Sequence, residues 1–118
     1  MNRDVPRGDI PTLILAVLME TPRHGYAIAR EIERLSETAL RLREGSLYPA
    51  LRILEQDGHI TGHWEIPGSG PARKVYTITE SGSRELSRRI QEWEQYARTM
   101  RTILKGASPD EQPVEPVY

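Results

Sequence analysis

The segment Gly45–Ile60 constrains the fold more than any other part of this chain. Its leucines recur at i, i+4 and i+7, which places one apolar stripe along a helix: Leu47, Leu51 and Leu54. Proline is tolerated in the first turn of a helix, so Pro49 predicts a helix that begins near Gly45 or Ser46. Gly58 is a stop signal, and a run with a different period follows it. The segment therefore predicts a short helix that packs on a core through one face.

The other side of this helix carries polar, aromatic and cationic groups: Ser46, Tyr48, Pro49 and Arg52. A recognition helix presents such groups from its first turns to base edges in the DNA major groove. A plain amphipathic core helix with a solvated outer side explains the segment equally well when it is taken alone. The remainder of the chain has to decide between the two readings.

Two further helices are predicted before it. Residues 10–19 are apolar almost all round, which indicates a helix buried on most faces, and Pro22 ends it. The next helix begins at His24-Gly25, with charged residues, Glu31 among them, on its solvent side. Its apolar stripe follows the same i, i+4, i+7 spacing: Ile28, Ile32 and Leu35. Residues 36–43 form a polar connection, so the order is helix, connection, helix, as in a helix-turn-helix.

After Gly58 the apolar period changes from that of a helix to that of a strand. Ile60–Ile66 and Lys74–Thr79 alternate every second residue, and the loop between them is rich in Gly and Pro. This predicts a β-hairpin, called a wing. Arg73 and Lys74 stand at its base, where cations can meet phosphates or a minor groove, although a solvated basic turn explains either residue alone. Trp64 alternates with Ile60 and is predicted to pack under the wing.

The last long segment has the spacing of one helix packed along another. Thr79 is its predicted N-cap. Apolar residues then recur at intervals of four and three: Leu86, Ile90, Trp93, Ala97, Met100 and Leu104. The most economical account is a dimerisation helix that packs on its symmetry mate and on the first helix. Trp93 fits core packing best, with a ligand-binding role as the alternative. Residues 106–118 are acidic and rich in proline, which predicts a disordered tail.

Composition bounds the possible functions. The 118 residues make one domain with a modest core, and the absence of Cys removes disulfides and thiolate chemistry. The net charge of −1 argues mildly against nucleic acid, but three carboxylates lie in the tail, and residues 1–106 carry +2. DNA binding would therefore depend on local clusters of cations. No signal peptide or membrane span is recognisable, so a soluble, intracellular protein is expected.

Catalytic and metal sites find no support in the sequence. His59 and His63 fall at the start of a strand, about 13 Å apart by strand rise, with no further ligand spaced to complete a set. Ser46 and Ser81 have no accompanying base, and no phosphate-binding glycine loop is present. We expect no enzyme, no metal and no cofactor.

Three separated motifs resemble the PadR family of bacterial transcriptional regulators. They are His24-Gly25-Tyr26, then Leu47-Tyr48-Pro49-x-Leu51-x-x-Leu54-Glu55-x-x-Gly58-x-Ile60, then Arg73-Lys74-x-Tyr76. The match runs from about Gly8 to about Leu104. The resemblance implies a mainly α fold with a small β-hairpin, in which residues 8–79 form a winged helix-turn-helix and residues 80–105 a C-terminal dimerisation helix.

The function implied is that of a homodimeric, cytoplasmic DNA-binding regulator, located on the nucleoid when bound and most simply a repressor at an inverted-repeat operator. Major-groove contacts are expected from Ser46, Tyr48, Pro49 and Arg52, and wing contacts from Arg73 and Lys74. Gly25 and Tyr26 would offer backbone N–H groups to phosphate at a helix N-terminus. Some members of the family bind flat aromatic compounds between subunits, which makes Trp93 a candidate ligand residue. The rival interpretation is a winged-helix protein-interaction module that uses exposed apolar residues such as Ile53.

Overall fold

A computed structural model describes residues 2–107. It confirms the predicted fold class: three helices, a small β-hairpin and a long C-terminal helix follow one another. The helices are α1 (Ile10–Glu20), α2 (Gly25–Leu35), α3 (Glu44–Gln56) and α4 (Glu80–Lys105). The strands are β1 (Arg3–Asp4), β2 (Arg23–His24), β3 (Leu40–Arg41), β4 (Ile60–Glu65) and β5 (Arg73–Ile78). Among residues 2–107, no helix combines the length and the apolar character needed to cross a bilayer.

Helix α1 lies at the centre of the core because it is apolar on most of its faces. Ile14 and Leu15 are completely enclosed, and Leu18 is almost so. They belong to one cluster with Ile28 of α2 and the three leucines of α3. The predicted burial of α1 is confirmed for these residues.

Helix α2 begins as predicted at Gly25, but its apolar stripe is shorter than predicted. Ile28 and Ile32 are buried, whereas Leu35, in the last position, is exposed. Leu35 lies one turn after Glu31, at the end of the helix and beyond the edge of the core. The inclusion of Leu35 in the core was therefore wrong.

Glu31, predicted on the solvent side of α2, is only 9% exposed. Its carboxylate accepts two hydrogen bonds of 2.8 Å from the guanidinium of Arg34, and Arg23 Nη2 lies 3.6 Å away. The hydrogen bonds from Arg34, followed by the charges of Arg34 and Arg23, hold the pKa of Glu31 below its usual value. A carboxylate can be buried at this position because it is paired.

Helix α3 begins at Glu44, close to the predicted start, but Pro49 is its sixth residue and lies outside the first turn. The prediction that Pro49 belongs to the first turn was wrong. Pro49 has no N–H to donate to the carbonyl of Gly45, four residues earlier. Both residues lie on the exposed side of the helix, where water can satisfy that carbonyl, and the helix continues to Gln56.

The wing is an antiparallel hairpin with a third strand at its base. Strands β4 and β5 pair from Ile60 opposite Ile78 to Glu65 opposite Arg73, so Arg73 and Lys74 lie at the loop end of the hairpin and not at its base as predicted. Strand β2 pairs with the other edge of β5, so the strand order is β2-β5-β4. Because β2 immediately precedes α2, the base of the wing is hydrogen-bonded to the start of that helix.

Trp64 does not pack under the wing as predicted. It shares a strand face with the buried Ile60, but it is 68% exposed. The core ends one step earlier, at the pair formed by Gly62 and Tyr76. Trp64 lies beyond that edge, opposite Lys74. The predicted strand face of Trp64 was therefore right, and its predicted burial was wrong.

The N-terminal residues form a short parallel bridge that the sequence did not predict. Strand β1 pairs with β3, and Val5 enters the core. The Asp4 carboxylate accepts hydrogen bonds from Arg43 Nε at 3.0 Å and from Arg41 Nε at 3.2 Å. The bond from Arg43 is the main cause of the lowered pKa of Asp4. The N-terminus is thereby attached to the connection that leads into α3.

Helix α4 is anchored at its start to the turn between α3 and β4. The predicted N-cap is confirmed: Thr79 Oγ1 accepts a hydrogen bond from the Gly82 N–H at 3.0 Å, and it donates one to the Gly58 carbonyl at 2.7 Å. At Gly82, a Cβ would overlap the backbone carbonyl of His59. The helix can approach the turn this closely only because residue 82 is glycine.

Only the first turns of α4 are covered by the rest of the chain. Leu86 is buried in the core cluster, and α4 packs against α1. Beyond it the helix exposes large apolar side chains: Ile90, Trp93, Tyr96, Met100, Ile103 and Leu104. Residues 108–118, which make up most of the predicted disordered tail, lie outside the described residues.

Candidate nucleic-acid interface

Five of the eight predicted DNA-contacting residues line one cleft between the start of α2, helix α3 and the wing: Gly25, Tyr26, Tyr48, Arg73 and Lys74. This wing cleft has a volume of about 450 Å³, and four more residues complete it: His24, Trp64, Ala72 and Tyr76. The other three predicted residues, Ser46, Pro49 and Arg52, are exposed on α3 outside the cleft. The chain thus brings most of the predicted set together, although its members come from segments far apart in sequence.

Tyr48 can lie against the start of α2 because residue 25 has no side chain. A Cβ on Gly25 would come within 2.9 Å of the Tyr48 ring and hydroxyl. Gly25 is buried by this contact, whereas Tyr48 remains 42% exposed. The Gly25–Tyr48 contact therefore fixes the angle at which the recognition helix meets α2.

Lys74 is a structural connection between the wing and α3 more than a free cation. Its Nζ donates a 2.9 Å hydrogen bond to Glu55 Oε1, and it lies 5.5 Å from the centre of the Tyr76 ring. The bond to Glu55 is the largest cause of the raised pKa of Lys74. The charge of Lys74 is thus balanced by Glu55 inside the protein.

Arg73 has a different environment from its neighbour Lys74. It is exposed, and it forms no salt bridge within residues 2–107. Its charge and, to a larger extent, burial lower the pKa of His24, which is therefore neutral near pH 7. Arg73 is the cation of the wing cleft that remains available for a phosphate.

Tyr26 extends the cleft towards the middle of α2. Its ring is parallel to that of His24, with centroids 6.4 Å apart. Arg30 donates a 2.9 Å hydrogen bond to the Tyr26 hydroxyl, and its guanidinium carbon lies 5.6 Å from the ring centre. Arg30 was not among the predicted residues, because a charged residue on the outer face of a helix carries no signal of its own.

The exposed side of α3 is divided between two surfaces. Tyr48 points to the wing cleft, and Arg52, one turn later on the same side, forms no salt bridge within the described part of the chain. Ser46 and Pro49 lie on the other flank, where Ile53 and the first turns of α4 line a groove of about 360 Å³. The four predicted major-groove residues are thus exposed, but they do not form one continuous patch.

A second basic group at the start of α3 was also missed. Arg41 and Arg43 line a shallow cleft with Arg30 and the first residues of α3. Glu33 and Glu44 border the same cleft, and Asp4 is bound to both arginines of the connection. The formal charges of these six side chains cancel, which makes this surface less cationic than its arginines suggest.

The histidines considered as metal ligands have other partners. His59 Nδ1 lies 3.0 Å from Ser81 Oγ, and His63 Nε2 lies 3.6 Å from Glu65 Oε1. Within residues 2–107, no group of three or more His, Cys, Asp or Glu side chains is arranged to hold a metal ion.

The predicted dimer seam on α4 divides into a buried and an exposed part. Leu86 belongs to the core cluster of the chain and Ala97 is half-buried, while four members are exposed: Ile90, Trp93, Met100 and Leu104. Tyr96 and Ile103, which the heptad spacing did not select, add to the exposed apolar surface. An uncovered apolar surface of this kind is typical of an interaction site.

Comparisons with known proteins agree on one family. The transcriptional regulator Rv3488 of Mycobacterium tuberculosis is 31% identical over 106 residues, which are 90% of this chain and 92% of that protein. The negative transcriptional regulator PadR of Bacillus subtilis is 32% identical over 73 residues, 62% of this chain and 40% of that protein. The chain spans less than half the length of this relative and of several others.

A solved structure of a transcriptional regulator from Clostridium thermocellum superposes with a TM-score of 0.76 at 28% identity, covering 81% of this chain and 93% of that one. Residues 14–88 match the profile of the transcriptional regulator PadR-like family, and they contain the three motifs, the helix-turn-helix and the wing. On this evidence, the chain belongs to the PadR-like family of transcriptional regulators.

Proposed function

We propose that the protein is a homodimeric, cytoplasmic repressor that binds an inverted-repeat operator. The observation that carries the proposal is the placement of two exposed cations relative to Tyr48: Arg52 lies one helical turn after it on α3, and Arg73 lines the wing cleft with it. Neither cation forms a salt bridge within residues 2–107, so both are available to DNA. The proposal assigns no catalytic residue and no cofactor.

In this proposal α3 enters the major groove with Tyr48 and Arg52 towards base edges, and Pro49 contacts DNA from the other flank of the helix. Ser46 contacts DNA from the flank that faces α4. The N-terminus of α2 at Gly25 and Tyr26 receives a phosphate, because no side chain caps it and the first N–H groups of a helix lack partners within the helix. Arg73 meets the backbone beside the wing, while Lys74 holds the wing against α3 through Glu55.

The homodimer is supported by the apolar surface of α4. Trp93 is 57% exposed in the single chain, and it belongs to the Leu86-to-Leu104 seam, in its exposed part. Burial of such a surface against a symmetry mate is the usual way in which a small domain gains additional core. A twofold dimer would hold two copies of α3 about 34 Å apart, or a multiple of it, which requires an inverted-repeat site.

The repressor role is supported by one relative, the B. subtilis protein, which is named a negative transcriptional regulator. Release by a small, flat aromatic effector is part of the proposal, with Trp93 as its contact. The exposed ring of Trp93 and the neighbouring Tyr96 offer aromatic surface for such a molecule next to the dimer seam.

Operator binding is tested with DNA from around the protein's own gene at several salt concentrations. Arg52→Ala should lose about 1–3 kcal/mol of specific binding and relax selectivity at one position, because it reads a base. Arg73→Ala should weaken binding to all sequences and reduce the salt dependence by about one counterion. The matched control is Arg84→Ala, an exposed arginine of α4. If Arg52→Ala and Arg73→Ala both bind DNA as the parent does, the interface is wrongly assigned. A footprint that covers a single unrepeated half-site would argue against the dimer.

Dimerisation is tested by sedimentation of Trp93→Ala over a range of protein concentrations. Trp93 is largely exposed in the single chain, so the variant should fold, and the loss of about 3–5 kcal/mol should appear as dissociation. If Trp93 instead lines an open pocket between subunits, the variant stays dimeric and the parent's fluorescence responds to flat aromatic compounds. A dimer with unchanged melting temperature and no response refutes both versions.

A protein-interaction module remains the second candidate, since Ile53 is exposed on α3 and the chain is nearly neutral. The two candidates differ in salt dependence. DNA binding should weaken steeply with salt, whereas binding through Ile53 should not.

A further inference from the structure

Trp64 is a large aromatic side chain that the core does not use. It is 68% exposed in strand β4, and its strand face continues outward from Ile60 and Gly62. The directly opposite residue on β5 is Lys74, whose ammonium group is held by Glu55. Exposure of an indole ring is unfavourable in water, and tryptophan is enriched where a surface becomes covered by a partner.

The surroundings of Trp64 define what can cover it. The wing cleft is lined by aromatic rings from five elements and by two cations, and no carboxylate lines it. His24 adds no positive charge near pH 7, because burial and Arg73 lower its pKa. Arg73 therefore supplies the available charge beside an aromatic wall. An anion flanked by an apolar group fits this combination, as in the phosphate and deoxyribose of a DNA strand.

We propose that Trp64 packs against the sugar-phosphate backbone of one DNA strand where that strand passes between α3 and the wing. The indole face covers a deoxyribose, and Arg73 pairs with an adjacent phosphate. The contact positions the duplex and reads no base, so it acts on all sequences alike. This inference rests on the proposed function, because the cleft meets DNA only if α3 is the recognition helix.

The position of the cleft favours DNA over a small aromatic ligand. Its walls include Tyr48 of α3 and Arg73 of the wing, two of the groups proposed to touch DNA, so the cleft lies between the two elements. A strand that contacts both elements must cross this opening. A small molecule in the same place would compete with DNA, and the experiment separates the two occupants.

The test combines affinity with fluorescence on the full-length protein. Trp64→Ala should bind operator and unrelated DNA about tenfold more weakly, which is the lower end of the range for an aromatic ring stacked on a base, because here the ring packs on a sugar. Ile66→Ala is the matched control, since Ile66 is an exposed apolar residue of the same hairpin outside the cleft, and it should change affinity less than twofold. Thermal melting checks that Trp64→Ala is folded, which its exposure leads us to expect.

The fluorescence arm uses the fact that the chain has two tryptophans. Addition of DNA should protect part of the parent's emission from quenching by acrylamide, and this protection should be absent in Trp64→Phe, where only Trp93 emits. The inference is overturned if Trp64→Ala binds as the parent does, if Ile66→Ala loses as much, or if DNA leaves acrylamide quenching unchanged. It is also overturned if a flat aromatic compound, but not DNA, protects Trp64.

Failure of the inference and failure of the proposed function are distinguishable. If the parent binds DNA, and Arg52→Ala weakens this binding while Trp64→Ala does not, only the proposed role of Trp64 is refuted. If the parent binds no DNA at any salt concentration, both fall together.

Discussion

Substitution of Gly82 by alanine should disconnect α4 from the body of the protomer. Gly82 is the third residue of α4, and it is buried against the turn that follows α3. An added Cβ would overlap the backbone carbonyl of His59, and it would also press on Ile78 Cγ1. Neither atom is the end of a flexible side chain, so the helix itself has to shift.

The expected size of the effect is a balance of two terms. Alanine in place of glycine within a helix gains about 0.5–1 kcal/mol of stability from helix propensity. Forcing an extra methyl into a packed site typically costs about 1–3 kcal/mol, and a rigid backbone obstacle places Gly82 at the upper end. The displacement also strains the Thr79 cap, which bonds to the same turn. We expect a net loss of about 2 kcal/mol in the free energy of unfolding.

Urea denaturation at fixed protein concentration measures this loss. With a slope of about 2 kcal/mol/M, the midpoint for Gly82→Ala should fall by about 1 M. The control is Gly45→Ala, where a Cβ meets nothing within 4 Å, so the same substitution should leave stability unchanged or raised. If Gly82→Ala is as stable as Gly45→Ala, the close approach of α4 to the His59 carbonyl does not exist in solution.

Two further predictions concern polar groups of α4. Thr79→Ala removes the acceptor for the Gly82 N–H and the donor to Gly58, and it should cost about 1 kcal/mol in urea denaturation, whereas Ser87→Ala should not. Hydrogen bonds from Arg88, and then Arg89, lower the pKa of Glu85 to about 2. The stability that this carboxylate contributes is present above its ordinary pKa of 4.5 and is lost as the pH falls towards 2. Glu85→Gln should therefore be about 1 kcal/mol less stable than the parent at pH 7 and as stable as the parent near pH 2. An unchanged difference across that range would contradict the pairing.

The periodic elements were predictable from the sequence, and the short ones were not. Helices α1 to α4 and the hairpin each carry an apolar period over many residues, which tertiary packing follows. The two-residue strands β1, β2 and β3 are too short to show any period. They form because tertiary packing brings each of them next to a segment with which its backbone can pair. Trp64 and Glu31 were misplaced for a related reason: periodicity gives the face of an element, but not where along it the core ends.

The candidate interface was predictable as a set of residues and not as a surface. Motif spacing identified Tyr48, Arg73 and Lys74, but only the folded chain distinguishes an available Arg73 from a Lys74 that is held by Glu55, 19 residues away. Likewise, nothing in the order of the residues places Trp64 beside Tyr48. Such pairings depend on the packing of segments that are distant in sequence.

The length of α4 has a mechanical consequence for operator recognition. At 26 residues the helix is about 39 Å long, and it contains no Gly or Pro after Gly82, so it behaves as a stiff lever arm. A tilt of about 5° at the far end displaces the anchored end by about 3.4 Å, which is the rise of one base pair. Because Thr79 and Gly82 fasten that end to the turn after α3, the recognition helix must move with it. In a dimer joined through these helices, a slight change in their crossing angle is enough to move the two copies of α3 out of register with successive major grooves of the duplex.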